Sequence, residues 1–230
     1  MSNKVAKGFR SPSPFIAGSK TKKPVKADKE LLEWEAIFRK YKSEIDDAYK
    51  ALELAEKAGD RKAIAGAYSE LLSLHLDVEH PDLIEIATKS VEAATDAFGT
   101  DSMECANELS LLATAYICAG DKESAIRSRD AEINIVVKLG DNETIFSGLE
   151  LGILNAEELG MPDKIREYAL RGIALVKERC SPDSEEYTEH MSYFEEMRDT
   201  AFDAPISKAN NVSLLQAIAA SMRSMILCKK

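Results

Sequence analysis

The chain has 230 residues, 45% of them hydrophobic and 30% charged, with only 11 glycines and 7 prolines. That is enough apolar side chain for a packed core and too little β-branched alternation for a sheet, so the expected class is all-α. The net charge of −10 is unevenly spread: residues 1–29 carry eight Lys or Arg against Asp28 alone, a charge of +7, which leaves −17 on the remainder.

Residues 1–28 are expected to be a disordered basic arm, because Gly8, Pro12, Pro14, Gly18 and Pro24 interrupt it and no apolar period runs through it. It holds no apolar core of signal-peptide length. Ser11 and Ser13 each precede a proline, the pattern that a proline-directed kinase reads, and are candidate phosphorylation sites. Residues 29–60 then carry a seam of Leu31, Trp34, Phe38, Tyr41, Ile45, Ala48, Leu52 and Ala55, ended by Gly59-Asp60. The seam admits a coiled-coil dimer. Packing on its own chain, as a monomer, is the favoured reading, since Ile37, Tyr49 and Ala51 widen the stripe and Trp34 and Tyr41 suit a two-stranded coil poorly.

Residues 61–206 alternate apolar periodic runs with separators: "HLDVEHPD", "FGTDS", "AGDK", "LGDNE", "LGMPDK" and "CSPDS". Each contains residues that stop one helix and cap the next, and links this short imply antiparallel helix pairs. "IATKSVEAATDAFGTDS" (86–102) overlays "YALRGIALVKERCSPDS" (168–184) without a gap, pairing Ser90 with Gly172 and Ser102 with Ser184. Half that offset sets Ala131 beside Ser90 and Gly172, so Ala131 and Gly172 are expected at close helix crossings of a repeat array. Residues 207–230 form a predicted amphipathic helix, with Val212, Leu215, Ala219, Met222 and Ile226 on one stripe. A terminal cap is the favoured reading over a membrane-surface helix, whose polar face would carry more Lys and Arg.

The stretch "LLATAYICAGDKESAI" (111–126) resembles the tetratricopeptide repeat, with Leu112-Ala113 at the Leu-Gly step, Tyr116 four residues before the turn Gly120, and Ala125 at the small position of the second helix. The "FGTDS" and "CSPDS" linkers and the longer spacing look like the kinesin-light-chain type of repeat. The resemblance implies a short right-handed solenoid with a long N-terminal helix and a C-terminal cap. It also implies a non-enzymatic scaffold or adaptor, cytoplasmic or cytoskeleton-associated, that holds a peptide or partner helix in a groove. In that register Asn107, Ser110, Thr114 and Ile117 line the groove, followed by Ser147, Glu150, Leu154 and Glu157. Ser110 and Thr114 stand where some members clamp a terminal carboxylate with Lys and Asn, which disfavours heat-shock-chaperone binding. Glu150 and Glu157 suit a basic or mixed ligand. Gly120-Asp121 then reads as a hinge rather than a site.

Chemistry has no positive signal. His75, His80 and His190 lack H-x-x-H or H-E-x-x-H neighbours, and no Walker A, G-x-G-x-x-G or G-x-S-x-G motif occurs. Cys105, Cys118, Cys180 and Cys228 form no C-x-x-C pair and suggest a reduced setting, without zinc or a disulfide framework. No enzyme, no cofactor and no membrane insertion are expected. The alternative function starts from the arm, as a salt-sensitive tether to acidic tubulin tails, nucleic acid or an anionic surface. Nucleic acid ranks low, since Phe9 and Phe15 are the arm's only aromatics.

Overall fold

The computed structural model describes residues 26–77 and 82–201. The arm up to residue 25, with Ser11 and Ser13, and the capping helix expected at 207–230 lie outside the described residues. Two units divide the chain at Lys40, and the account below concerns the second, from Tyr41 onward.

Among the described residues the fold is all-helical, with eight helices and no strand. They are α1 (Lys26–Ala58), α2 (Arg61–Asp77), α3 (Leu83–Phe98), α4 (Met103–Cys118), α5 (Lys122–Leu139), α6 (Asn142–Glu158), α7 (Pro162–Arg179) and α8 (Glu185–Thr200). From α2 onward each helix packs on the next in chain order. No helix among the described residues is long and apolar enough to cross a membrane.

The punctuation works as the residue types dictate. Gly120 sits at φ +75°, its N–H donating to the Ile117 carbonyl at 2.9 Å, while Asp121 N–H reaches back to Tyr116 at 3.0 Å. This is the paired closure of a helix C-terminus that a residue with positive φ permits. Asp121 then caps α5, accepting from Ser124 N–H at 3.1 Å. The same stop and start recurs at Gly59-Asp60, where Gly59 N–H meets Glu56 and Asp60 N–H meets Ala55, both at 3.1 Å. Asp60 in turn accepts from Lys62 and Ala63 N–H. The overlaid linkers match in the same detail. Ser102 Oγ donates to Gly99 O at 2.8 Å and accepts from Cys105 N–H at 3.1 Å; Ser184 Oγ donates to Ser181 O at 2.7 Å and accepts from Tyr187 N–H at 3.1 Å.

Two apolar clusters form the core. Ala48 and Leu52 of α1 join Leu71, Leu72, Ile86, Ala87 and Leu112 in the first. The second runs from Cys105 and Ala106 of α4 through Ile133, Phe146, Leu149 and Val176 to Phe194 of α8. Helix α4 contributes to both, and the half-buried Val91 and Tyr116 pack against each.

Of the three positions equated by the repeat, two are packed as expected and one is not. Ser90 is fully buried and donates to Glu108 at 2.6 Å. Gly172 lies so close to α8 that an added Cβ would stand 2.6 Å from the Phe194 ring. Ala131 is only half-buried. Helix α5 turns Ser128, Arg129, Glu132 and Ile133 inward, which leaves Ala131 on the margin of the buried face.

Two expectations test this packing. Gly172→Ala should lose about 1 to 3 kcal/mol in urea denaturation, since Phe194 must move, despite the better helix propensity of Ala. Ala131→Leu should lose less than about 1 kcal/mol, as its margin position leaves room.

Glu108 is buried against the hydroxyls of Ser90 and Ser69, and burial pushes its carboxyl above the ordinary range. A carboxyl raised on folding holds its proton longer in the native state, so stability falls as pH rises through that window. Glu108→Gln should therefore raise the urea midpoint at about pH 7 and change it little near about pH 3, where both states hold the proton.

Candidate functional site

The eight residues expected to line a groove separate by helix. On α4 only Asn107 is exposed, whereas Ser110, Thr114 and Ile117 are buried. On α6 Ser147 and Glu157 are exposed, and Glu150 and Leu154 are half-buried. The α4 trio therefore offers no surface to a ligand. Ile117 belongs to the apolar core, and Ser110 meets Arg129 of α5, whose side chain is 0% exposed.

Its guanidinium gathers the neighbouring polar groups. One terminal nitrogen donates to Ser110 Oγ at 2.8 Å and to the Glu132 carboxylate, and the other donates to Asn155 Oδ1 at 3.2 Å. Thr114 completes the local pattern by donating to the Ser110 carbonyl at 3.1 Å. Burial pushes the Glu132 carboxyl up, and Arg129 opposes that shift. Arg129 Nε and Asn155 Nδ2 have no hydrogen-bond partner among the described residues. A buried charge of this kind costs heavily in desolvation and persists because its partners come from three helices, α4, α5 and α6.

The α6 residues belong to a different assembly, made with α8. Glu150 Oε1 stands 3.3 Å from His190 Nδ1. The imidazole lies on Phe146, ring centroids 4.3 Å apart, and Phe146 in turn meets Phe194 at 6.1 Å. Tyr193 packs edge-on against Phe194 at 5.3 Å. Burial, followed by the charges of Glu150, Glu157 and Glu196, pushes its phenol up to about 12. Burial also pushes the carboxyls of Glu157 and Glu150 up; for Glu150 the pairing with His190 opposes this. The result is a half-exposed face in which Glu150 of α6 pairs with His190 of α8 above the Phe146 ring.

Glu150, Leu154 and Glu157 are among the residues that the resemblance sets on a groove, while His190, Tyr193 and Glu196 are not. Tyr187, His190 and Phe194 recur at helical period and set an aromatic stripe on one side of α8. No family model matches the chain, and no curated protein shows significant sequence similarity to it.

The Arg129 cluster yields a direct expectation. Arg129→Met strands the buried Glu132 carboxylate and should cost about 3 to 5 kcal/mol in urea denaturation. Adding Glu132→Leu should recover much of that loss, because an apolar pair leaves no buried charge uncompensated.

Proposed function

We propose that the chain is a non-enzymatic interaction scaffold of tetratricopeptide-like helix pairs, its repeats of the kinesin-light-chain type, and that it binds a basic or mixed-charge peptide or partner helix. Three features support the architecture: the repeated glycine-aspartate turn, the matching hydrogen bonds of the two overlaid linkers, and the packing of each helix on the next. In this reading the helix pairs run antiparallel and stack as a short right-handed solenoid. A cytoplasmic setting, with a cytoskeletal or transport role, belongs to the same resemblance.

The observation that carries the ligand assignment is the acidic character of α6 and α8, where the half-buried Glu150 pairs with His190 at 3.3 Å and Glu157 and Glu196 are exposed. A cationic side chain gains there from the carboxylates and from the aromatic ring face, while an acidic ligand meets like charge. The α4 residues Ser110, Thr114 and Ile117 drop out of the ligand surface, leaving Glu150, Leu154 and Glu157 joined by Tyr193 and Glu196.

A short capped oligolysine peptide is a suitable probe at low ionic strength. Glu150→Lys with Glu157→Lys should weaken its binding by more than about tenfold, and the difference should shrink as salt rises. Unchanged affinity in the double variant, or equally tight binding of an oligoglutamate peptide, overturns the proposal.

A further inference from the structure

The linker between α7 and α8 carries a hydroxyl that the fold does not use. Cys180 ends α7 in an extended conformation, φ −105° and ψ 146°, and Ser181, Pro182 and Asp183 after it are all exposed. The turn is held by the Ser181 carbonyl, which accepts from Ser184 N–H at 2.9 Å and from Ser184 Oγ at 2.7 Å. Ser184 Oγ is committed to capping α8, as Ser102 Oγ is to capping α4. Ser181 Oγ makes no hydrogen bond among the described residues. The overlaid linker shows that neither this hydroxyl nor the proline is required by the turn: Gly99 and Thr100 stand in the same places, and the Gly99 carbonyl accepts from Ser102 Oγ at 2.8 Å.

We propose that Ser181 is a phosphorylation site for a proline-directed protein kinase. Such an enzyme reads a serine followed by proline, which fixes its own φ and has no N–H to satisfy in the kinase cleft. Pro182 also biases Ser181 toward extended backbone, the form that a cleft can grip. In the transfer Ser181 Oγ attacks the γ-phosphorus of ATP, the bond from that phosphorus to the ADP oxygen breaks, and the hydroxyl proton passes to the kinase's catalytic base. The serine is exposed and its oxygen gives up no bond to react, so the folded chain can serve as substrate. The product adds a charge of about −1.5 to −2 beside the last turn of α7, whose basic residues are Lys177 and Arg179. The site owes nothing to the reading of the α6–α8 face as a ligand surface.

The experiment treats the full chain with a purified proline-directed kinase and magnesium ATP and maps phosphate by peptide mass spectrometry. Ser11→Ala with Ser13→Ala removes the other two Ser-Pro pairs of the chain. Ser181→Ala and Pro182→Ala are each added to that background, and circular dichroism checks that every variant is folded. The background variant should carry phosphate on Ser181, and Ser181→Ala should carry none. Pro182→Ala should lose most of the incorporation while remaining folded, because the turn bonds come from the Ser181 carbonyl. Absence of phosphate on Ser181, while the same kinase modifies a reference Ser-Pro peptide, overturns the site. Undiminished labelling of Ser181 in Pro182→Ala overturns its assignment to a proline-directed kinase.

Discussion

A single buried guanidinium holds the middle of this fold together. Arg129 leaves water completely, and its charge is tolerable only because Ser110, Glu132 and Asn155 meet it from α4, α5 and α6. Apolar contacts between helices are non-directional and permit sliding, whereas hydrogen bonds to a planar, forked cation hold only in a narrow set of geometries. The position of α6 relative to α4 is tied to that fork. Everything that α6 presents on its other side, including Phe146 and Glu150, depends on it.

Away from the hub, helices are joined by polar contacts at the margin of the apolar core. Tyr168 donates to Asp130 at 2.8 Å, Lys164 pairs with the same carboxylate at 3.0 Å, and Arg171 donates to Asn134 at 3.0 Å, all between α5 and α7. Gly152 leaves room for Ile133 and Tyr168, which an added Cβ would meet at 3.0 and 3.2 Å. Gly172 does the same for Phe194. Small residues at the crossings and polar ties at the edges allow successive helices to pack closely without burying further unpaired charge.

The candidate ligand face follows from that arrangement. Phe194 is drawn into the core against Phe146, which brings the neighbouring turns of α8 against α6. His190 is then placed beside Glu150, a residue far earlier in the chain. The face is an outcome of core packing, and its charge comes from residues that have no structural duty in the core.

By itself the sequence determined the helical class, the helix boundaries near Gly59, Gly120 and Gly160, the caps at Asp121, Ser102 and Ser184, and the equivalence of the two overlaid linkers. These are local properties, set within a few residues by backbone freedom, capping oxygens and periodicity. It also marked Glu150, Leu154 and Glu157. Only the tertiary structure decided that Ser110 is tied into the core by Arg129, that Thr114 is buried, that Ala131 sits at a margin, and that His190 meets Glu150. Helical period specifies which residues share a face, but not which other helix, from a distant part of the chain, covers that face, because that choice depends on the packing of side chains brought together only when the chain has folded.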